Sequence, residues 1–265
     1  MNNHEIDYKV YGDDMQYVEV ELDPNETAIA EAGSLMMMDE AIKMETIFGD
    51  GSRSGGGGLM GKLMGAGKRL ITGESLFMTT FTNAGQGKRH VYFAAPYPGK
   101  IIPMDLSVYN GKIICQKDAF LAAAKGVSVG VEFQRKIGAG FFGGEGFIMQ
   151  KLEGDGMAFI HAGGAIKRIG LQAGQKLLVD TGCLVAMTSD VDYDIQAVGG
   201  VKTALFGGEG IFLASLRGPG TVWVQSLPFS RLASRVFAAA PVSQGGGGKN
   251  AGEGGIGGIF NLFND

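Results

Sequence analysis

The chain has 265 residues, 46 of them glycine, and a net charge of −4 from 23 Lys and Arg against 27 Asp and Glu. With 45% apolar and 19% charged residues it has the balance of a globular chain able to bury a sizeable core. Glycine at about 17% is more than twice the usual ~7%, yet no G-X-Y period runs through it, so collagen is excluded. No run of like charge longer than two offers a track for phosphate backbones, which argues against DNA and disfavours RNA.

The N-terminal MNNHEIDYKVYGDDM lacks the apolar core of a signal peptide, and the longest uncharged stretches, residues 218–230 and 236–248, fall short of the ~18 residues of a membrane span. A cytoplasmic protein, peripheral at most to a membrane, is expected. From Tyr17 to Leu22 acids and aliphatics alternate, the period of a half-buried strand, and Val127 to Phe133 repeats that pattern. Short β-prone stretches every 8 to 12 residues, parted by Gly, Asn and Asp turns, predict an all-β sandwich or barrel.

Residues 49–73, GDGSRSGGGGLMGKLMGAGKRLITG, form a Gly-rich insertion. Leu59, Met60, Leu63, Met64, Leu70 and Ile71 fall at near-helical spacing within it, with Lys62, Lys68 and Arg69 on other positions. Core packing, a subunit interface and peripheral membrane contact remain open for that stripe. GAGKRL is not a phosphate-binding loop, because Arg69 stands where the hydroxyl residue should follow the lysine.

Beyond the insertion the chain repeats itself. FFGGEGFIMQKLEG at 141–154 and LFGGEGIFLASLRGPG at 205–220 share FGGEG, an apolar strand and a Gly-bearing turn, and TGESLFMTTFTNAGQG at 72–87 is a worn third copy. Glu74, Glu145 and Glu209 thus head equivalent strands. The stretches beginning at 21, 105 and 170 supply the other half of the unit: an apolar anchor, a polar turn, a β-prone run, a small-residue corner and a second strand. Three units of about 65 residues are expected, near 5–104, 105–169 and 170–240. Each is too small to be robust alone, so they should pack together about a pseudo-threefold axis, with residues 241–265 as a Gly-rich flexible tail.

Other chemistry is sparse. GAGFFG at 138–143 matches a dinucleotide-binding pattern, but EGFIMQKL after it reads as strand where a helix is required. GVSVG at 126–130 matches G-x-S-x-G, and Asp155 and His161 follow in hydrolase order, yet Ser128 runs on into an alternating strand instead of a nucleophile elbow. His4, His90 and His161 are too scattered to suggest a metal site, and His90 and His161 are expected at strand edges or hydrogen-bonding between units. A ring of Glu74, Glu145 and Glu209 on the pseudo-axis would offer oxygen ligands to a cation, against the simpler role of a shared turn in the fold. Cys115 and Cys183, each inside an apolar run and without metal-ligand spacing, are expected as buried free thiols.

The FGGEG-like units, the GESLF strand opening and above all LMGKLMGAGKRLITGESLF resemble the bacterial branch of the "altered inheritance of mitochondria" family over roughly residues 5–240. That resemblance implies a fold like the tryptophan RNA-binding attenuation protein, a short relative of the double-stranded β-helix, present as three repeats in one chain with further oligomerisation. It supplies no catalytic motif, so no catalytic, cofactor-binding or metal residue is assigned and no cofactor is expected. The expected function is that of a non-enzymatic, homo-oligomeric scaffold or assembly protein, with an unidentified protein partner and peripheral to a membrane complex. The alternatives are a small-ligand or RNA-binding module using clefts between repeats and, less favoured, a hydrolase using Ser128.

Overall fold

The computed structural model describes residues 4–31, 33–48, 77–135, 147–198 and 211–240. A leading strand β1 (Asp7–Tyr11) precedes β2 (Tyr17–Leu22), β3 (Thr27–Glu31), β4 (Leu35–Met38), β5 (Ile42–Phe48), β6 (Phe77–Asn83) and β7 (Arg89–Ala94). Six more follow: β8 (Gly99–Asp105), β9 (Lys112–Gln116), β10 (Phe120–Ala124), β11 (Ser128–Arg135), β12 (Phe147–Glu153) and β13 (Met157–Gly163). A last six are β14 (Ile166–Leu171), β15 (Lys176–Asp180), β16 (Leu184–Thr188), β17 (Asp192–Val198), β18 (Ile211–Arg217) and β19 (Gly220–Gln225), before a helix α1 (Phe229–Ala239).

The all-β expectation holds. Pairing is antiparallel between all named strands, in four sheets: a first of order β1-β2-β7-β4, a second of order β5-β6-β3-β10-β13-β8, a third of order β11-β12-β9-β16-β19-β14, and a fourth of order β15-β18-β17. None of these sheets closes on itself, so the barrel alternative is corrected to stacked open sheets. The pairing scheme recurs along the chain. In each set of six the first strand pairs with the sixth, the second with the fifth, the third with the sixth and the fourth with the fifth. The third strand carries a register shift at the same place each time, between Leu35 and Met37, between Phe120 and Ala122, and between Leu184 and Ala186.

Local chemistry explains the corners. In the turns Asp23–Glu26 and Gln172–Gln175 the third residue, Asn25 at φ 72° or Gly174 at φ 75°, is left-handed, a conformation open to Gly and tolerated by Asn. The fourth residue's backbone N–H bonds the first carbonyl. Its side chain, Glu26 or Gln175, accepts from the first residue's N–H. The corner before β9 uses Asn110 at φ 56° and Gly111 at φ 74°.

Three apolar clusters lie between successive sheets. Val18, Val20, Leu22, Phe81, Phe93 and Phe159 fill the space between the first and second sheets. Met104, Ile113, Phe120, Leu152, Ile160 and Trp223 fill the second-to-third space, and Phe147, Met149, Leu184, Leu216 and Val222 the third-to-fourth. Each such side chain contributes roughly 1.5–3 kcal/mol by leaving water. Strands of the second and third sheets therefore face apolar neighbours on both sides, and β10 (FLAAA) and β16 (LVAMT) are buried throughout.

The helix departs from expectation, since the repeat pattern extends β-structure to residue 240. Pro228 precedes it, and Phe229, Leu232, Ala233, Val236 and Phe237 recur at helical spacing. The Leu/Met stripe of the insertion, GAGFFG, the three repeated glutamates and the tail lie outside the described residues. The strands following Glu74, Glu145 and Glu209 are β6, β12 and β18, the fifth of each set.

Candidate functional site

Two polar clusters stand out, one on the surface and one within. The surface cluster sits on the first sheet. His90, on the inner strand β7, is flanked by carboxylates from both sides: Nε2 lies 3.3 Å from Glu21 Oε2 on β2, and Nδ1 lies 3.4 Å from Asp39 Oδ2 just past β4. Asp39 Oδ2 also accepts the His90 backbone N–H at 2.8 Å. Lys88 hydrogen-bonds Glu21 and lies 3.8 Å from Asp7, and the Lys88 ammonium holds the Glu21 carboxyl below its ordinary range. A shallow groove lined by Asp39, Glu40, Ala41 and Arg89 opens beside it. An imidazole between two carboxylates can pass a proton from one to the other. The hydrogen bonds of His90 thus join neighbouring strands of one set, and no bond from it to another set is seen among the described residues.

The interior cluster forms where β3, β13 and the short turn Lys117–Ala119 come together with Tyr97. His161 is fully buried on β13, and among the described residues neither ring nitrogen has a hydrogen-bond partner. Burial drives its pKa down to about 4, against a weaker upward pull from the Tyr97 backbone. The Tyr97 ring stands edge-on to it at 4.4 Å. Gly99 closes the other side: a Cβ there would sit 2.6 Å from His161 Nε2 and 2.1 Å from the Ala162 carbonyl oxygen, so only glycine fits. Glu31, at the end of β3, has its pKa raised to about 7, first by burial and then by the charge of Asp118, with Lys117 opposing. Burial, with Asp118 again, pushes the Tyr97 phenol up to about 12. A carboxylic acid titrating near neutrality is the kind of perturbation found at functional sites and also in structural polar clusters.

Ser128 opens β11 in the third sheet, opposite Glu153, whereas His161 lies on β13 in the second. Since His161 has no hydrogen-bond partner, it is not bonded to Ser128 or Asp155, and the nucleophile–base pair that acyl transfer requires is not assembled. His4 accepts the Thr27 backbone N–H on Nδ1 at 2.9 Å, a structural role, and its pKa is lowered by burial. Both cysteines are free. Cys115 is buried, with its thiol pushed up to about 12, but Cys183 is only partly buried, with Arg231 Nη2 3.8 Å from its sulfur. Among the described residues no three His, Cys, Asp or Glu side chains converge as a metal-ligand set, and no helix is long and apolar enough to cross a membrane.

The sequence reading missed Glu21, Asp39, Glu31, Tyr97 and Asp118. Glu21 and His90 belong to strands that alternate legibly, but their pairing spans 69 residues. Glu31 and Asp118 meet only through the second sheet.

The fold is thus that of a multi-sheet antiparallel β-protein with one terminal helix described and polar clusters of no single established chemistry. The family model for mitochondrial biogenesis AIM24 matches residues 8–227, and the chain belongs to that family. It is 31% identical over 229 residues to an uncharacterised protein of Streptococcus pyogenes serotype M6, covering 85% of this chain and 87% of that one. It is also similar to the crystal structure of a Streptococcus pyogenes protein, with a TM-score of 0.70 and 24% identity, over 89% of this chain and all of the other.

Proposed function

We propose that this chain is a non-enzymatic, oligomeric assembly protein acting at the periphery of a membrane complex. The observation that carries this reading is helix α1. None of its residues is buried; Leu232 and Ala233 are half-buried, while Val236 and Phe237 are exposed. Phe229 at its start rests on Tyr97, with ring centroids 5.2 Å apart, and Arg231 approaches Asp180 at 3.9 Å. The helix is therefore tethered at one end and carries an apolar face, exposed at Val236 and Phe237, with Arg231 and Arg235 on its polar side, the composition of an interfacial helix.

The thrice-recurring pairing scheme supports the finer architecture: three copies of one six-stranded unit, in the manner of the short double-stranded β-helix. A chain made of repeated units offers repeated surfaces, which suits assembly better than a single chemical site.

Vesicle flotation tests the reading. The full chain is expected to float with vesicles containing anionic lipid, and the variant V236E/F237E to stay in the dense fraction with its β-sheet circular dichroism unchanged. Equal flotation of both, or of neither, removes α1 as the contact.

A further inference from the structure

We infer that β4 of one chain pairs antiparallel with β15 of a second copy, in a register that the chain itself already displays twice. Consecutive sets of strands are joined by one kind of seam: the second strand of one set pairs with the third strand of the next. At the first seam Ala122, Ala123 and Ala124 of β10 face Ala30, Ile29 and Ala28 of β3. At the second, Ala186, Met187 and Thr188 of β16 face Cys115, Ile114 and Ile113 of β9. In both, the pairing starts at the residue just after the register shift on the third strand and at the fourth residue of the second strand. Every residue on either side is buried.

Two half-seams are left over. Among the described residues β4 is a third strand with no second strand beside it, and β15 is a second strand with no third strand beside it; each is the outer strand of its sheet. They do not meet within one chain. Met36, Met37 and Met38 are 50%, 48% and 39% exposed and Leu178 is 58% exposed, whereas their counterparts in the two formed seams are covered. Applying the shared register places Met37 opposite Val179, Met38 opposite Leu178 and Asp39 opposite Leu177.

The chemistry of these edges differs from that of β1, β5, β14 and β17. Open strand edges are ordinarily guarded by charge. Lys43 and Glu45 lie on β5, Asp192 and Asp194 on β17, Lys167 and Arg168 on β14, and Asp7 and Lys9 on β1. β4 is LMMM, with no charge at all, and β15 is KLLVD, charged only at its ends. An unguarded apolar edge is a pairing site, and the edge complementary to each is on the other end of the same chain, so the natural occupant is a second copy. Such head-to-tail pairing is heterologous: it closes into a ring or continues as a filament. This inference deepens the assembly reading above by naming a joint, and it rests on that reading for its place in function.

The test uses chains with one introduced cysteine in a Cys183→Ser background, where the remaining native thiol, Cys115, is buried. Mixing the Met38→Cys chain with the Leu178→Cys chain under mild oxidation should give a disulfide-linked heterodimer, while Met38→Cys mixed with an off-register Lys176→Cys chain should give little. Light scattering of the unmodified protein should show two or more chains. Leu178→Lys, a change at an exposed position, should lower that mass while leaving the thermal transition of the chain in place. An oligomer that fails to cross-link overturns the joint but leaves assembly through another surface standing; a monomer overturns both. A Met38→Cys/Leu178→Cys chain that links only to itself also overturns the inference, because the seam then closes within one chain.

Discussion

Glu31 and His161 pull the acid stability of the protein in opposite directions. His161 has a folded pKa of about 4, below its ordinary value. The unfolded chain therefore binds a proton that the native one refuses, and the stability it contributes is complete above about pH 6.5 and is lost as pH falls through 4. Glu31 is reversed. Its folded pKa of about 7 lies above the ordinary 4.5, so the native state keeps a proton that the unfolded chain releases. Its contribution is complete below pH 4.5 and is lost as pH rises through 7. Between those limits the two largely offset each other. Glu31→Gln removes one arm, and the structure already holds a glutamine at the matching place, Gln116 at the end of β9. Urea unfolding should show Glu31→Gln no better than the parent near pH 4.5 and more stable by up to about 3 kcal/mol at pH 8. An unchanged difference across that range would mean that Glu31 is not held in its neutral form.

At the scale of single elements, the seam between β3 and β10 is built almost wholly of alanine. Ala28, Ala30, Ala122, Ala123 and Ala124 are all buried, with Ala122 facing one apolar cluster and Ala123 the next. Ala123→Leu forces three more carbons into a closed space and should cost about 1–3 kcal/mol, read as a lowered urea midpoint at unchanged slope. The strands themselves were legible: Tyr17 to Leu22 alternates in the structure as it does in the sequence, and FIMQKL, read as strand after GAGFFG, lies in β12. Helix α1 was missed although FSRLASRVFAA carries the helical period, because the repeat pattern had already assigned the segment to a β-unit. The first strand of each later set was also read as belonging to the set before it, since β8 and β14 pair with strands reached only about 60 residues on. The interior cluster was illegible for the same reason. Nothing near Glu31 in the chain foretells Asp118, and the unsatisfied state of His161 depends on how Tyr97 and Gly99 close around it.

Over the whole molecule, the sheets do not respect the boundaries between the sets of strands. The second sheet takes strands from the first and second sets, the third from the second and third, and the cluster between them draws Val185, Ala186 and Trp223 from the last third of the chain. The outer sets each lend one three-stranded half, and the middle set both of its halves, to a sheet that a neighbour completes, so the sets are not separate folding domains, and removing one exposes an inner strand of the next. A chain ending at Gly163 would lose β16 and β19 and leave Cys115, Ile114 and Ile113 of β9 as an open apolar edge. It would also lose the hydrogen bond from the Gly163 backbone N–H to the Gln225 side chain. Losing that much apolar cover removes more free energy than a domain's net stability of roughly 5–15 kcal/mol. The truncated chain should therefore aggregate, or bind a hydrophobic dye without a cooperative thermal transition, while the full chain unfolds in a single step. A sharp, reversible transition in the truncated chain would show instead that the first two sets fold by themselves and that the shared sheets are docked rather than interdependent.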